Sequence, residues 1–248
     1  MTPIERGGFE AGGLTVHRIR GRGGSEPRLG VLLCHGYGAP GSDLVPIAGE
    51  LIGASPEIAE RAVFYFPEAP INLGGYPPFQ MRAWWNLDLA RLEESIATGR
   101  PIDRKQECPE ELPHLRARID AVLEQVRNET GLSTGSIVLG GFSQGAMLAT
   151  DAALHLSEAP AALAAFSGTF LCAEEWTRLA GQRKPFPVLQ SHGRTDPLLP
   201  FAAAEQLFEL SQDPVNARFV AFDGPHTIPH EALVAFLHLL ETLLGKKP

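Results

Sequence analysis

Short apolar runs, bounded by turn-forming residues, recur along this chain. They are Leu14 to Ile19, Gly30 to Cys34, Ala62 to Phe66, Ile137 to Gly141, Ala162 to Phe166 and Val188 to Ser191, with Ala217 to Phe222 as a seventh. The middle ones are continuous rather than alternating, which is what a strand covered on both faces requires. Between many of them the apolar period lengthens to that of a helix. Glu111 to Asn128 sets Leu115, Ile119, Val122, Leu123 and Val126 near helical spacing, with charges on the other side. Ala146 to Leu156, Phe201 to Leu210 and His230 to Leu244 read similarly. Strands alternating with helices predict an α/β fold: a mostly parallel, open central sheet with helices on both faces and right-handed crossovers.

One region breaks the alternation. Pro67 to Pro109 holds Pro70, Gly74, Gly75, Pro77 and Pro78, then Trp84 and Trp85, then a weak helical stretch from Leu87 to Ser95. A long excursion inside a compact domain is usually functional or disordered, and the aromatic content here argues against disorder. The excursion, around 67–109, is expected to cover the site-bearing end of the sheet; a surface insertion packed on the domain edge is the plainer reading. No repeat or linker divides the 248 residues, so one domain spanning 1–248 is expected.

Composition narrows the partners. With 21 basic and 29 acidic residues the formal charge is −8, which disfavours a nucleic-acid backbone. The N-terminal residues lack an apolar signal core, and no run reaches the roughly 20 apolar residues of a membrane span, so no stable membrane insertion is expected. Cys34, Cys108 and Cys172 are odd in number and lack metal-ligand spacing. They suggest a reducing compartment, hence the cytoplasm, and no disulfide framework.

The chemistry concentrates at three loops. Gly141-Phe142-Ser143-Gln144-Gly145 is a G-x-S-x-G sequence between an apolar strand and a helix-forming stretch. A serine exposed on so tight a turn needs neighbours without a Cβ. In a chain with 26 glycines the motif alone could be chance; its context makes Ser143 the candidate nucleophile. Such a serine needs a base and an orienting acid. Asp196 and His226 each follow a strand, so both lie at the carboxyl edge of the sheet, where open α/β folds place their sites. Taken singly, an aspartate before a proline is a turn residue and a loop histidine is solvated; their joint placement argues for more. Competing bases are His192, expected to be structural, His230, at the start of the last helix, and His35. In His35-Gly36-Tyr37-Gly38 the backbone is the expected contributor, with the Tyr37 and Gln144 N–H groups as an oxyanion hole. Cys34 lies within an apolar strand with nothing to lower its pKa. The eight histidines show no H-E-x-x-H spacing, so neither metal nor cofactor is expected.

Together, His35-Gly36-Tyr37-Gly38, the Gly141–Met147 segment, His192 to Pro200 and Gly224-Pro225-His226-Thr227-Ile228 resemble the phospholipase/carboxylesterase family of serine hydrolases, across Leu29 to Leu237. Ala69 to Gly75 followed by Met81 to Trp85 resembles that family's Asn-Gly segment and its Trp-Phe-Asp signature. The resemblance implies an α/β-hydrolase fold with Ser143, Asp196 and His226 as triad and Tyr37 and Gln144 as oxyanion donors. It also implies Leu73, Trp84 and Leu198 near the acyl-binding surface. Phe170, together with Phe79, is a further candidate for an apolar wall there. The chain departs from the family pattern at Trp85-Asn86, in the added length from Tyr76 to Gln80, and at Thr169 before Phe170.

The expected activity is hydrolysis of short- to medium-chain acyl esters through an acyl-enzyme, with a small-molecule ester as partner. The same chemistry would serve an acyl-protein thioesterase or lysophospholipase. A hydrolase-fold protein that only holds a ligand is the alternative of another class, and its usual mark, a missing triad member, is absent. Relatives commonly form homodimers, although no sequence feature here marks an interface.

Overall fold

The structure, a computed structural model, describes residues 3–76, 80–211 and 216–245. Phe79 and part of the added Tyr76 to Gln80 length lie outside the described residues. Among the described residues eight strands form one sheet: β1 (Ile4–Ala11), β2 (Leu14–Gly21), β3 (Leu29–Cys34), β4 (Ala62–Pro67), β7 (Ile137–Phe142), β8 (Ala162–Phe166), β9 (Val188–Gly193) and β10 (Ala217–Phe222). Within the excursion, β5 (Ile71–Gly74) and β6 (Met81–Ala83) pair as a separate antiparallel ribbon. The large sheet runs in the order β1-β2-β4-β3-β7-β8-β9-β10. Only β2 opposes the others, pairing antiparallel with both β1 and β4. All seven apolar runs are strands, and the mostly parallel α/β sheet is as expected.

Eight α-helices accompany the sheet among the described residues: α1 (Val45–Ala54), α2 (Pro56–Arg61), α3 (Leu89–Thr98), α4 (Leu112–Thr130), α5 (Gln144–His155), α6 (Ala173–Gln182), α7 (Phe201–Glu209) and α8 (His230–Leu243). Successive strand residues point to opposite faces, and two apolar layers follow. Leu32 and Cys34 join Tyr65, Leu139 and the buried faces of α4 and α5. Val31 and Leu33 join Phe64, Phe66, Val138 and the buried faces of α1, α2 and α8. The continuous apolar runs are thereby explained, since neither face of the central strands meets water.

β1, β5, β6, α1, α2 and α6 are not among the elements that the apolar pattern predicts. β1 is a mostly exposed edge strand with two glycines, and α1 carries two glycines and a proline, so apolar periodicity is weak in both. The weak helix of the excursion is α3, displaced to Leu89–Thr98. Asp88 Oδ accepts from the Arg91 N–H at 3.0 Å, and Gly99 ends the helix in the left-handed region at φ 63°.

The cysteine expectation is corrected. Cys108 and Cys172, separated by 64 positions, form a disulfide, and Cys34 alone is free. Spacing holds no trace of this pairing, because it joins the excursion to the loop before α6 through space. The compartment inferred from the cysteine count loses that ground. Among the described residues no helix is long and apolar enough to cross a membrane.

Candidate active site

The turn between β7 and α5 places Ser143 at φ 55° and ψ −119°. A non-glycine residue held there stores on the order of 1–3 kcal/mol of strain, so its surroundings must over-determine it. They do. The Ser143 N–H donates to the Phe166 carbonyl at 2.9 Å, and its own carbonyl accepts from Ala146 and Met147 at 3.0 and 3.2 Å. A Cβ at Gly145 would overlap the Cys34 and His35 carbonyl groups, and one at Gly141 would overlap Cys34 and Gly145. The two motif glycines thus allow this turn to lie against the end of β3.

Parallel register brings the other loops to the same edge. Phe142 pairs with Phe166 and Phe166 with Ser191, while Gly193 pairs with Phe222. Beyond Gly193, Asp196 Oδ1 accepts from the Leu198 and Leu199 N–H groups at 2.8 and 3.0 Å. Its Oδ2 lies 2.6 Å from His226 Nδ1. Burial pushes the Asp196 carboxyl up, but the His226 hydrogen bond and charge, helped by the two backbone N–H groups, outweigh it and hold the acid below its ordinary value. An ionised Asp196 fixes Nδ1 of His226 as the protonated nitrogen, leaving Nε2 as the basic one.

The acid and base loops are joined backbone to backbone. Arg194 N–H donates to Phe222 at 2.8 Å and Thr195 N–H to Gly224 at 3.2 Å. A Cβ at Gly193 would strike the Gly224 and Pro225 carbonyls. Ser167, itself at φ 48°, donates its Oγ to the Thr227 carbonyl at 2.9 Å and so ties the His226 loop to the end of β8. The His226 ring also rests against Phe142, with centroids 4.8 Å apart.

Ser143 and His226 line one cavity of about 250 Å³, without a hydrogen bond between them. Serine–base bonds of this kind are often long before substrate is bound. Tyr37 lines the cavity as well, and its N–H has no backbone partner among the described residues. Gln144 is the first residue of α5, so its N–H has no carbonyl one turn earlier to bond. A strained serine, a histidine hydrogen-bonded to an aspartate, and two residues with unpaired N–H groups line one cavity, an arrangement suited to acyl transfer.

Comparison with known proteins decides the family. The phospholipase/carboxylesterase family model matches residues 22–244. The chain belongs to the phospholipase/carboxylesterase family. Acyl-protein thioesterase 1 of Candida albicans is 26% identical over 235 residues, covering 90% of this chain and 95% of that protein. The Kluyveromyces lactis acyl-protein thioesterase 1 is 28% identical over 204 residues, covering 79% and 83%. Among solved structures, esterase PE8 superposes with a TM-score of 0.68 at 27% identity, over 97% of this chain and 99% of that one. The α/β-hydrolase fold and an enzyme of the serine hydrolase type, acting on esters or thioesters, follow from these likenesses.

Within this family frame, the expected substrate-side residues separate. Leu198 lines the cavity; Leu73, Trp84 and Phe170 are not among its lining residues. Leu73 sits half-buried on the β5–β6 ribbon. Trp84 is fully buried, and its Nε1 donates to the His35 carbonyl at 2.9 Å. Phe170 stacks on Trp176. Their neighbours Trp85 and Leu171 take the wall positions instead. The excursion supplies one wall through Trp85, Leu87, Leu92, Arg104, Glu107 and Pro109.

The Gln144 side chain has a function that motif reading missed. Its Oε1 accepts from the Trp84 N–H at 2.9 Å and its Nε2 donates to the Trp85 carbonyl at 2.8 Å. It thereby satisfies excursion backbone as a neighbouring strand would. His35 is likewise structural. Its Nε2 accepts from the Ala69 N–H at 3.0 Å, which places its proton on Nδ1, facing the Gly36 carbonyl at 2.8 Å. Burial pushes its pKa down to about 4. His192 is wholly buried behind Asp196, with Nε2 3.2 Å from the Leu199 carbonyl and 3.3 Å from Asp196 Oδ2. His230 is exposed at the start of α8, and burial raises the pKa of the Cys34 thiol, keeping it inert.

Proposed function

We propose that the chain is a carboxylic-ester hydrolase working through an acyl-enzyme on Ser143. The observation that carries this reading is the 2.6 Å Asp196–His226 pair facing the cavity that Ser143 lines. His226 Nε2 takes the Ser143 proton as Oγ attacks the ester carbonyl carbon. The Tyr37 and Gln144 N–H groups receive the developing oxyanion, aided by the positive end of α5. His226 then gives its proton to the departing alcohol oxygen. Water, deprotonated by the same nitrogen, attacks the acyl carbon, and Ser143 recovers its proton as the acid leaves. These side chains complete the chemistry without a cofactor.

Short to medium acyl chains are the preferred substrates, in keeping with a cavity of about 250 Å³. A protein thioesterase is the second reading, favoured by the names of the fungal relatives. The test is a series of aryl acyl esters of increasing length, run beside a palmitoyl thioester. Ser143→Ala abolishes turnover and fluorophosphonate labelling if this reading holds; unchanged hydrolysis by that variant overturns it. Faster cleavage of the palmitoyl thioester than of every ester selects the second reading.

A further inference from the structure

The cavity wall supplied by the excursion contains a charged group that ester hydrolysis does not use. Arg104 lines the cavity beside Glu107 and is only 7% exposed. Its Nη1 donates to Glu107 Oε2 at 2.6 Å. Arg91 Nη1 holds the other carboxylate oxygen, Oε1, at 2.6 Å. Two guanidinium groups therefore share one carboxylate, and the cluster keeps a net positive charge. Among the described residues, Nε and Nη2 of Arg104 meet no acceptor, yet neither is sealed from solvent. Arg104 thus lines the cavity with two of its donor nitrogens unpaired. Among the described residues, the other carboxylate lining the cavity is Asp43, whose carboxyl burial pushes up.

Arg104 is also held in place. The Cys172 N–H donates to the Glu107 carbonyl at 3.0 Å and the Ala173 N–H to Lys105 at 2.8 Å, beside the Cys108–Cys172 disulfide. A donor set fixed in this way discriminates between ligands, because an alkyl chain laid against it strips its water and returns no hydrogen bond. A carboxylate instead meets a planar fork of N–H donors.

We propose that Arg104 is a specificity residue that selects substrates carrying a carboxylate on the part lying against it, on the acyl or the alcohol side. This rests on the esterase reading above. Two matched series test it: ethyl half-esters of dicarboxylic acids against ethyl alkanoates of equal length, and acetate esters of ω-hydroxy acids against alkyl acetates. Acid release gives kcat/KM for each pair, and the ratio within a pair is internal to each protein. The wild type favours the carboxylate member of one series by at least about tenfold at its best length. Arg104→Met brings that ratio down to about one, Arg104→Lys retains part of it, and Glu107→Gln, which removes the competing carboxylate, raises it. Should Arg104→Met fail to fold, the other two variants decide.

Equal rates within every pair of both series, from a wild type that does hydrolyse the plain esters, overturn the proposal and leave the esterase reading standing. A ratio untouched in all the variants that fold overturns it too. Failure of the esterase reading looks different: no ester is turned over and the fluorophosphonate probe leaves Ser143 unlabelled.

Discussion

Ser143, Asp196 and His226 each depend on a different local device. The serine is held by backbone bonds on both sides of a strained turn, the aspartate by two N–H groups of its own loop, and the histidine by its carboxylate partner. Asp196→Asn keeps the shape but offers Nδ1 an amide that can donate, which favours the wrong imidazole tautomer. A fall in kcat of about 10⁴ is expected, with folding retained, as checked by ester kinetics beside circular dichroism. His35 makes a separate prediction. Its pKa drops on folding from 6.5 to about 4, so below 6.5 the unfolded chain takes up a proton that the folded one refuses. Stability is then full above pH 6.5 and declines as pH falls toward 4, by on the order of 3 kcal/mol from this residue. Denaturant unfolding at pH 7 and pH 5 reads the slope, and His35→Gln flattens it. Nothing in the sequence around His35 told which nitrogen accepts, since its partner, Ala69, is 34 positions away.

At the scale of elements, the central strands were legible because burial on both faces leaves a local signature. The excursion was legible as an interruption with a weak helix and as an expected cover, but not in how it is attached. Its attachment depends on the Gln144 side chain, on Trp84 Nε1, and on Gly38 N–H donating to Arg82 at 2.8 Å and Arg82 N–H to Ala39 at 3.2 Å. Gln144→Ala keeps the backbone N–H proposed for the oxyanion but strands the Trp84 donor and the Trp85 acceptor. About 1–3 kcal/mol of stability is lost per buried group left unpaired. Thermal unfolding measures this. Motif reading placed Trp84 on the substrate side because it lies in the right stretch of chain. The chain bends just past β6, and here it is Trp85 that lines the cavity while Trp84 turns inward to His35.

Across the whole molecule, the Cys108–Cys172 bond ties the excursion beside its cavity wall to the loop before α6. Alkylation of the unreduced protein, followed by mass analysis, is expected to leave Cys108 and Cys172 unmodified as a linked pair and buried Cys34 unreacted until unfolding. Cys108→Ser with Cys172→Ser costs about 2–4 kcal/mol of stability, read by denaturant unfolding. By itself the amino-acid sequence determined the apolar runs, the glycines of the serine turn and the order serine, aspartate, histidine along the chain. Those are local matters, set by a few adjacent residues and their packing needs. The disulfide partner, the tryptophan that lines the cavity, the side-chain bonds of Gln144 and the placement of Arg104 were decided only by tertiary structure. Each depends on which atoms of distant segments come within about 3 Å, and no local pattern encodes that distance.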